Sequence, residues 1–154
     1  MEYEDKISQD INCIEFMLLD KYGVSVDFDE NGENEYWFDP DDREDMGLIT
    51  IDSSMELLEQ LFVLLHEAGH VVLRSNKEDF LKRFPNLDRN TLSGRVEILR
   101  EEVMAWDEAA NLIKKYGIDR SDHFDLNAWR QNYRSALAMY ASWVEKGDCH
   151  VNPS

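Results

Sequence analysis

The stretch that most constrains this chain is residues 57–73, LLEQLFVLLHEAGHVVL. Apolar residues surround it on nearly every side: Leu61, Phe62, Leu64, Leu65, Val71 and Val72. A helix apolar all round belongs in a protein interior. Set into it are His66, Glu67 and His70, an H-E-x-x-H pattern. Helical residues four apart share a face, about 40° round and one turn along. Both imidazoles can therefore grip a single ion, with Glu67 beside it to work on a water. A bare H-E-x-x-H also occurs in proteins that bind no metal. Two buried histidines flanking a glutamate are costly, however, unless something satisfies them, and Zn²⁺ would.

The rest of the chain reads as helices and short strands around that stretch. Residues 5–22 carry Ile7, Ile11, Ile14, Met17 and Tyr22 at helical spacing, with Gly23 as the stop. Residues 24–28 read as a strand, Asn31-Gly32 is the strongest short hairpin signal, and residues 36–38 return as a second strand. An acidic loop at 39–47 holds Pro40. Residues 48–51 form a third strand, leading into the apolar helix through Asp52, Ser53 and Ser54, any of which suits its N-cap. Asn76 is placed to cap a short helix that Phe84-Pro85 ends. Ser93 opens a long helix to Tyr116, closed by Lys114, Lys115 and Gly117. A last helix at 125–144 carries Leu126, Trp129, Tyr133, Leu137, Tyr140 and Trp143, which read as core, and 147–154 read as a frayed tail. Residues 1–154 thus read as one α+β domain, a small antiparallel sheet from 24–51 packed on a helix pair. Asp27-x-Asp29-x-Asn31-Gly32 also opens like an EF-hand calcium loop, but the twelfth position, where a bidentate Glu is needed, is Phe38; a turn is expected.

Composition excludes several classes. With 154 residues, 43% of them hydrophobic, and four tryptophans, the chain can bury a core. A net charge of −17 argues against partners that are nucleic acid or anionic membrane. Acid is concentrated at 27–45, where Arg43 is the only cation; this reads first as a solvated edge and loop, second as an acidic lip to a site. Cys13 and Cys149 stand near opposite ends with no C-x-x-C spacing and read as reduced thiols. The opening MEYEDKISQD lacks the basic-then-apolar pattern of a signal peptide. No apolar run reaches spanning length, so a cytoplasmic location is expected.

A catalytic zinc usually takes three protein ligands, and the long helix offers Glu97, Glu101, Glu102, Asp107 and Glu108. With Leu99, Val103, Trp106, Ala109 and Ile113 as its buried stripe, 100° per residue puts Glu102 about 40° from the stripe's centre. Asp107 falls about 100° away, and Glu101 and Glu108 point nearly opposite. A core-facing carboxylate needs a partner. Glu102 is the best candidate, followed by Glu101 if the helix phase is off by one residue.

LITID, HEAGHVVL and EEVMAWDEAANLI together resemble the compact gluzincin metallopeptidases, above all the ImmA/IrrE-type domain of bacteria and phages, over residues 45–115. The resemblance implies a zincin-like fold and a Zn²⁺ peptidase, with His66 and His70 as ligands and Glu67 as general base. It also implies Glu102 as third ligand, followed by Ala105 and, one turn later, Ala109. The chain departs at Trp106, where that family often has Asn. A register shifted to Asp107 with Ala110-Asn111 is disfavoured by the helix-face argument.

The expected chemistry is hydrolysis of a peptide bond in a cytoplasmic protein substrate, a regulator or repressor, basic where it meets the acidic segment. The strand at 48–51 would line the cleft and accept an extended peptide by strand addition. Neither an oxyanion-stabilising side chain nor the carboxylate that orients a ligating imidazole is identifiable. The alternatives are a catalytically silent zinc-stabilised binding domain, another metal-dependent hydrolase, and an acidic nucleic-acid mimic, which has no use for buried histidines at ligand spacing. On this reading Glu102→Ala weakens zinc binding strongly and Glu101→Ala is nearly silent.

Overall fold

The computed structural model describes residues 2–38 and 46–147. In chain order the elements are α1 (Tyr3–Tyr22), β1 (Ser25–Asp29), β2 (Glu35–Trp37), β3 (Leu48–Asp52), α2 (Leu57–Arg74), α3 (Lys77–Arg83), α4 (Leu92–Lys115) and α5 (Leu126–Lys146), with a 3₁₀ turn at Ile118–Arg120. The α+β class stands. Arg43, Cys149, most of the acidic loop and the tail beyond Gly147 lie outside the described residues. Cys13 is an exposed free thiol. Among the described residues no helix is long and apolar enough to cross a membrane.

The sheet differs from the expected antiparallel hairpin. It is mixed, in the order β1-β3-β2, with β1 parallel and β2 antiparallel to β3. The most apolar strand takes the centre: Ile49 and Ile51 are fully buried, whereas β1 buries no residue completely. Such a strand is covered by pairing on both edges. Asn31-Gly32 does form a turn, with Gly32 N–H donating to Asp29 O. That turn does not join neighbouring strands; it carries the chain past the end of β3. Ser53 N–H also donates to Asp29 O, and Asn34 Oδ1 accepts from Asp52 N–H at 2.9 Å. The 48–51 strand therefore has no open edge and cannot take a peptide by addition. β2, on its far side from β3, lies against α2.

Helix starts shift by a few residues. α2 begins at Leu57 behind Glu56, which makes no side-chain cap. The Asp52 carboxylate instead ties the preceding turn, accepting from Ser54 N–H at 2.9 Å and from its hydroxyl at 2.6 Å. Asn76 caps α3 as expected. α4 is capped by Thr91, not Ser93, through Gly94 N–H, and Asp125 caps α5.

α2 is the hub. It packs on α1, β3 and α4, and Leu61, Leu64, Leu65 and Ala68 are fully buried. Its closest neighbour is α4, whose buried face is Gly94, Glu101, Glu102, Ala105, Trp106, Ala109, Leu112 and Ile113. Leu99 and Val103, expected at the centre of the stripe, are only half-buried. The phase is thus rotated, and Glu101 faces inward. The reason is that α4 packs against both α2 and α5, so its buried arc is wider than one stripe and cannot be centred on its largest apolar residues.

The crossing of α2 and α4 is set by Gly69. A methyl group there would stand 2.0 Å from the Ala105 carbonyl oxygen, a backbone atom that cannot swing aside. Alanine in a helix interior is worth about 1 kcal/mol over glycine, whereas overpacking costs about 1–3 kcal/mol. Gly69→Ala should therefore be net destabilising despite its better helix propensity, read as a lower denaturant midpoint with chelator present. A midpoint at or above wild type would mean that α4 can retreat freely.

Candidate metal centre

The α2–α4 crossing brings three groups together. His66 and His70, one turn apart on α2, and Glu102 on α4 offer one ligand atom each, all within 4.8 Å of one another. His66 Nε2 lies 2.5 Å from Glu102 Oε1 and 3.2 Å from His70 Nε2, and His70 Nε2 lies 3.1 Å from Glu102 Oε2. Ligand atoms around a tetrahedral ion at zinc-like bond lengths sit about 3.3 Å apart. Glu102 Oε1 is buried with no hydrogen-bond partner, as expected of an oxygen whose partner is an ion. The two imidazoles and a carboxylate fit a divalent metal.

Neighbouring side chains hold each ligand in place. His66 lies flat against the Trp106 indole, with ring centres 4.2 Å apart and planes 13° apart, and Trp129 and Tyr133 back that indole at 5.0 and 5.3 Å. His70 Nδ1 is 3.0 Å from Glu101 Oε1, which also accepts from Arg74 Nε at 2.8 Å. A carboxylate only accepts, so Nδ1 carries a hydrogen, which leaves Nε2 as the ring nitrogen that can bind an ion. Glu101, expected to point away, is 3% exposed and stands where a carboxylate that orients a ligating imidazole would stand. A signal was present: Arg74 follows His70 by four residues, on one face of α2, and a cation there beside an imidazole calls for an acid from the facing helix. Asp107 stays out of the cluster, exposed and lining a separate cavity beside Trp129.

Glu67 stands beside the ligands rather than among them. It is 2% exposed, its Oε1 is 3.7 Å from His66 Nδ1, and its Oε2 accepts from the Tyr36 N–H of β2 at 3.1 Å. Burial raises its carboxyl above the ordinary range, an effect that His66 and His70 reduce. Burial acts the same way on Glu102, but the charge on His70 and contacts with both imidazoles outweigh it and bring the carboxyl down to about 2. Two carboxylates a few ångströms apart are thus pushed in opposite directions, one suited to carry a proton and one to stay charged. Burial lowers His70, yet Glu101 and Glu102 raise it well above its ordinary value. Glu101 is lowered, against its burial, by His70 and Arg74. Cavities of about 230 and 150 Å³ open on the two sides of the cluster, and Glu67 and Glu102 line both.

A buried H-E-x-x-H helix crossed by a glutamate-bearing helix beside a small sheet defines a metallopeptidase-like domain. The chain belongs to the Peptidase_M78 family, the IrrE N-terminal-like domain, which matches residues 9–117. No curated protein and no solved structure matches it.

Two outcomes follow from this geometry. Glu101 and Glu102 raise His70 well above its ordinary value, so loading an ion on Nε2 should displace a proton from it. Calorimetric titration with Zn²⁺ in buffers of different ionisation enthalpy should give about one proton released per ion; no release would mean that His70 is already neutral. Removing Glu101 takes away the partner of His70 Nδ1 and the ion pair of Arg74, so Glu101→Ala should weaken Zn²⁺ binding about 10–100-fold in chelator competition. Unchanged affinity would deny it an orienting role.

Proposed function

We propose that this chain is a zinc-dependent peptidase acting on a cytoplasmic protein, with His66, His70 and Glu102 as metal ligands and Glu67 as the general base. The observation that carries this reading is Glu67 itself: buried, raised, and held by a backbone N–H beside a metal-ligand cluster it does not join. Two imidazoles and a carboxylate suit zinc. Zinc bound there supplies Lewis acidity to the scissile carbonyl and lowers the pKa of water. Glu67 takes a proton from the attacking water as its oxygen bonds to the carbonyl carbon. The same carboxyl then delivers that proton to the amide nitrogen as the C–N bond breaks. A raised carboxyl serves both halves, since it neither binds its proton weakly nor keeps it. Arg74 and Glu101 keep the His70 ring from turning, and Trp106 does the same for His66.

A protein regulator of basic character is the substrate class favoured by the net charge of −17, which raises the local concentration of cationic partners. The peptide would approach along β2, where Tyr36 meets Glu67. Glu67→Gln keeps size and the acceptor for Tyr36 N–H but removes the base. Zinc stoichiometry should be unchanged while cleavage falls about 10²–10⁴-fold, followed by mass spectrometry of basic, partly unfolded candidate proteins. Cleavage by both proteins would remove Glu67 from the mechanism. Binding by both with cleavage by neither would make the chain a zinc-stabilised binding domain.

A further inference from the structure

Beside the ligand cluster three buried polar atoms lack a hydrogen bond, among them one acceptor and one rotatable donor. The acceptor is Glu102 Oε1 and the donor is the Tyr140 hydroxyl on α5. Tyr140 is 2% exposed, its ring fixed edge-on to Trp143 at 6.2 Å. It lines the smaller cavity together with His66, Glu67, Glu102 and Trp106. A buried tyrosine hydroxyl usually finds a partner, and leaving one without is costly. α5 lies beyond residue 117, where the family match ends, so the match says nothing about this side chain.

The arrangement around Glu102 indicates what the hydroxyl is for. Its Oε2 faces His70 Nε2 at 3.1 Å, and its Oε1 stands 2.5 Å from His66 Nε2. The Trp106 indole N–H is also unpartnered, but stacking on His66 fixes its direction, whereas a hydroxyl hydrogen rotates to suit its acceptor. We propose that Tyr140 is a positioning residue for the third metal ligand, its hydroxyl donating to the Glu102 carboxylate when the cluster holds its ion. The proposal rests on reading His66, His70 and Glu102 as a metal site. Burial and the adjacent Glu102 carboxylate both raise the Tyr140 hydroxyl, keeping it protonated as a donor. α5 then becomes a working part of the metal centre rather than a cover over it.

The test is Tyr140→Phe, which deletes one oxygen and keeps the ring. In excess chelator the variant should be as heat-stable as wild type or more so, because an unpartnered buried hydroxyl has been removed. Its Zn²⁺ affinity, by chelator competition, should fall about 10–100-fold, and the visible bands of the Co²⁺-loaded protein should shift as the Glu102 carboxylate changes its mode of binding. A packing role would give the opposite pattern: lower stability in chelator, with Zn²⁺ affinity and Co²⁺ spectrum unchanged. That pattern, unchanged affinity alone, or a variant that fails to fold without metal would each overturn the assignment. Wild-type protein that binds neither Zn²⁺ nor Co²⁺ would sink the metal site itself, and Tyr140's role with it.

Discussion

The contact between the backbone of Gly69 and that of Ala105 is the constraint from which the rest follows. With no side chain at Gly69, α4 comes close enough for a glutamate, a short-reaching ligand, to meet imidazoles projecting from α2. Gly69 is thus part of the candidate metal centre although it offers it no donor atom. The rows of leucine and isoleucine on α1, α2 and β3 hold α2 still while α4 crosses it.

That crossing places three carboxylates and two imidazoles in a largely buried space. Left to themselves, Glu67, Glu101 and Glu102 would repel one another in low dielectric. The structure separates their tasks by partner. Glu101 faces Arg74 and the outer nitrogen of His70, Glu102 faces the inner nitrogens of both histidines, and Glu67 faces a backbone N–H. Three acids of the same chemical kind are driven to different proton affinities by what each one touches.

Much of this was legible in the sequence. Spacing alone identified the helix, both histidines and the neighbouring glutamate, because 3.6-residue periodicity fixes which residues share a face. Glu102 was reachable by the same arithmetic, although from a stripe whose true centre is rotated toward Ala105 and Leu112. Glu101 was misplaced for that reason: an arc buried by two partners does not announce its width in a single helix. The sheet was misread because Asn31-Gly32 specifies a turn and not which strands it joins. Burial of Ile49 and Ile51 on a centrally paired strand decided that, and it is a tertiary effect. Tyr140 could not have been singled out, since its stripe of aromatics reads as packing until α5 is seen against the ligands.

Glu67 is anchored through the N–H of Tyr36, a group that belongs to the main chain. Every residue but proline presents the same donor at that position. The identity of residue 36 can therefore drift, in size, charge or polarity, without loosening the carboxylate's hold, whereas a side-chain anchor would be lost to a single codon change. The carboxylate that sits beside the ligands without joining them is in this respect insulated from mutation at its anchor.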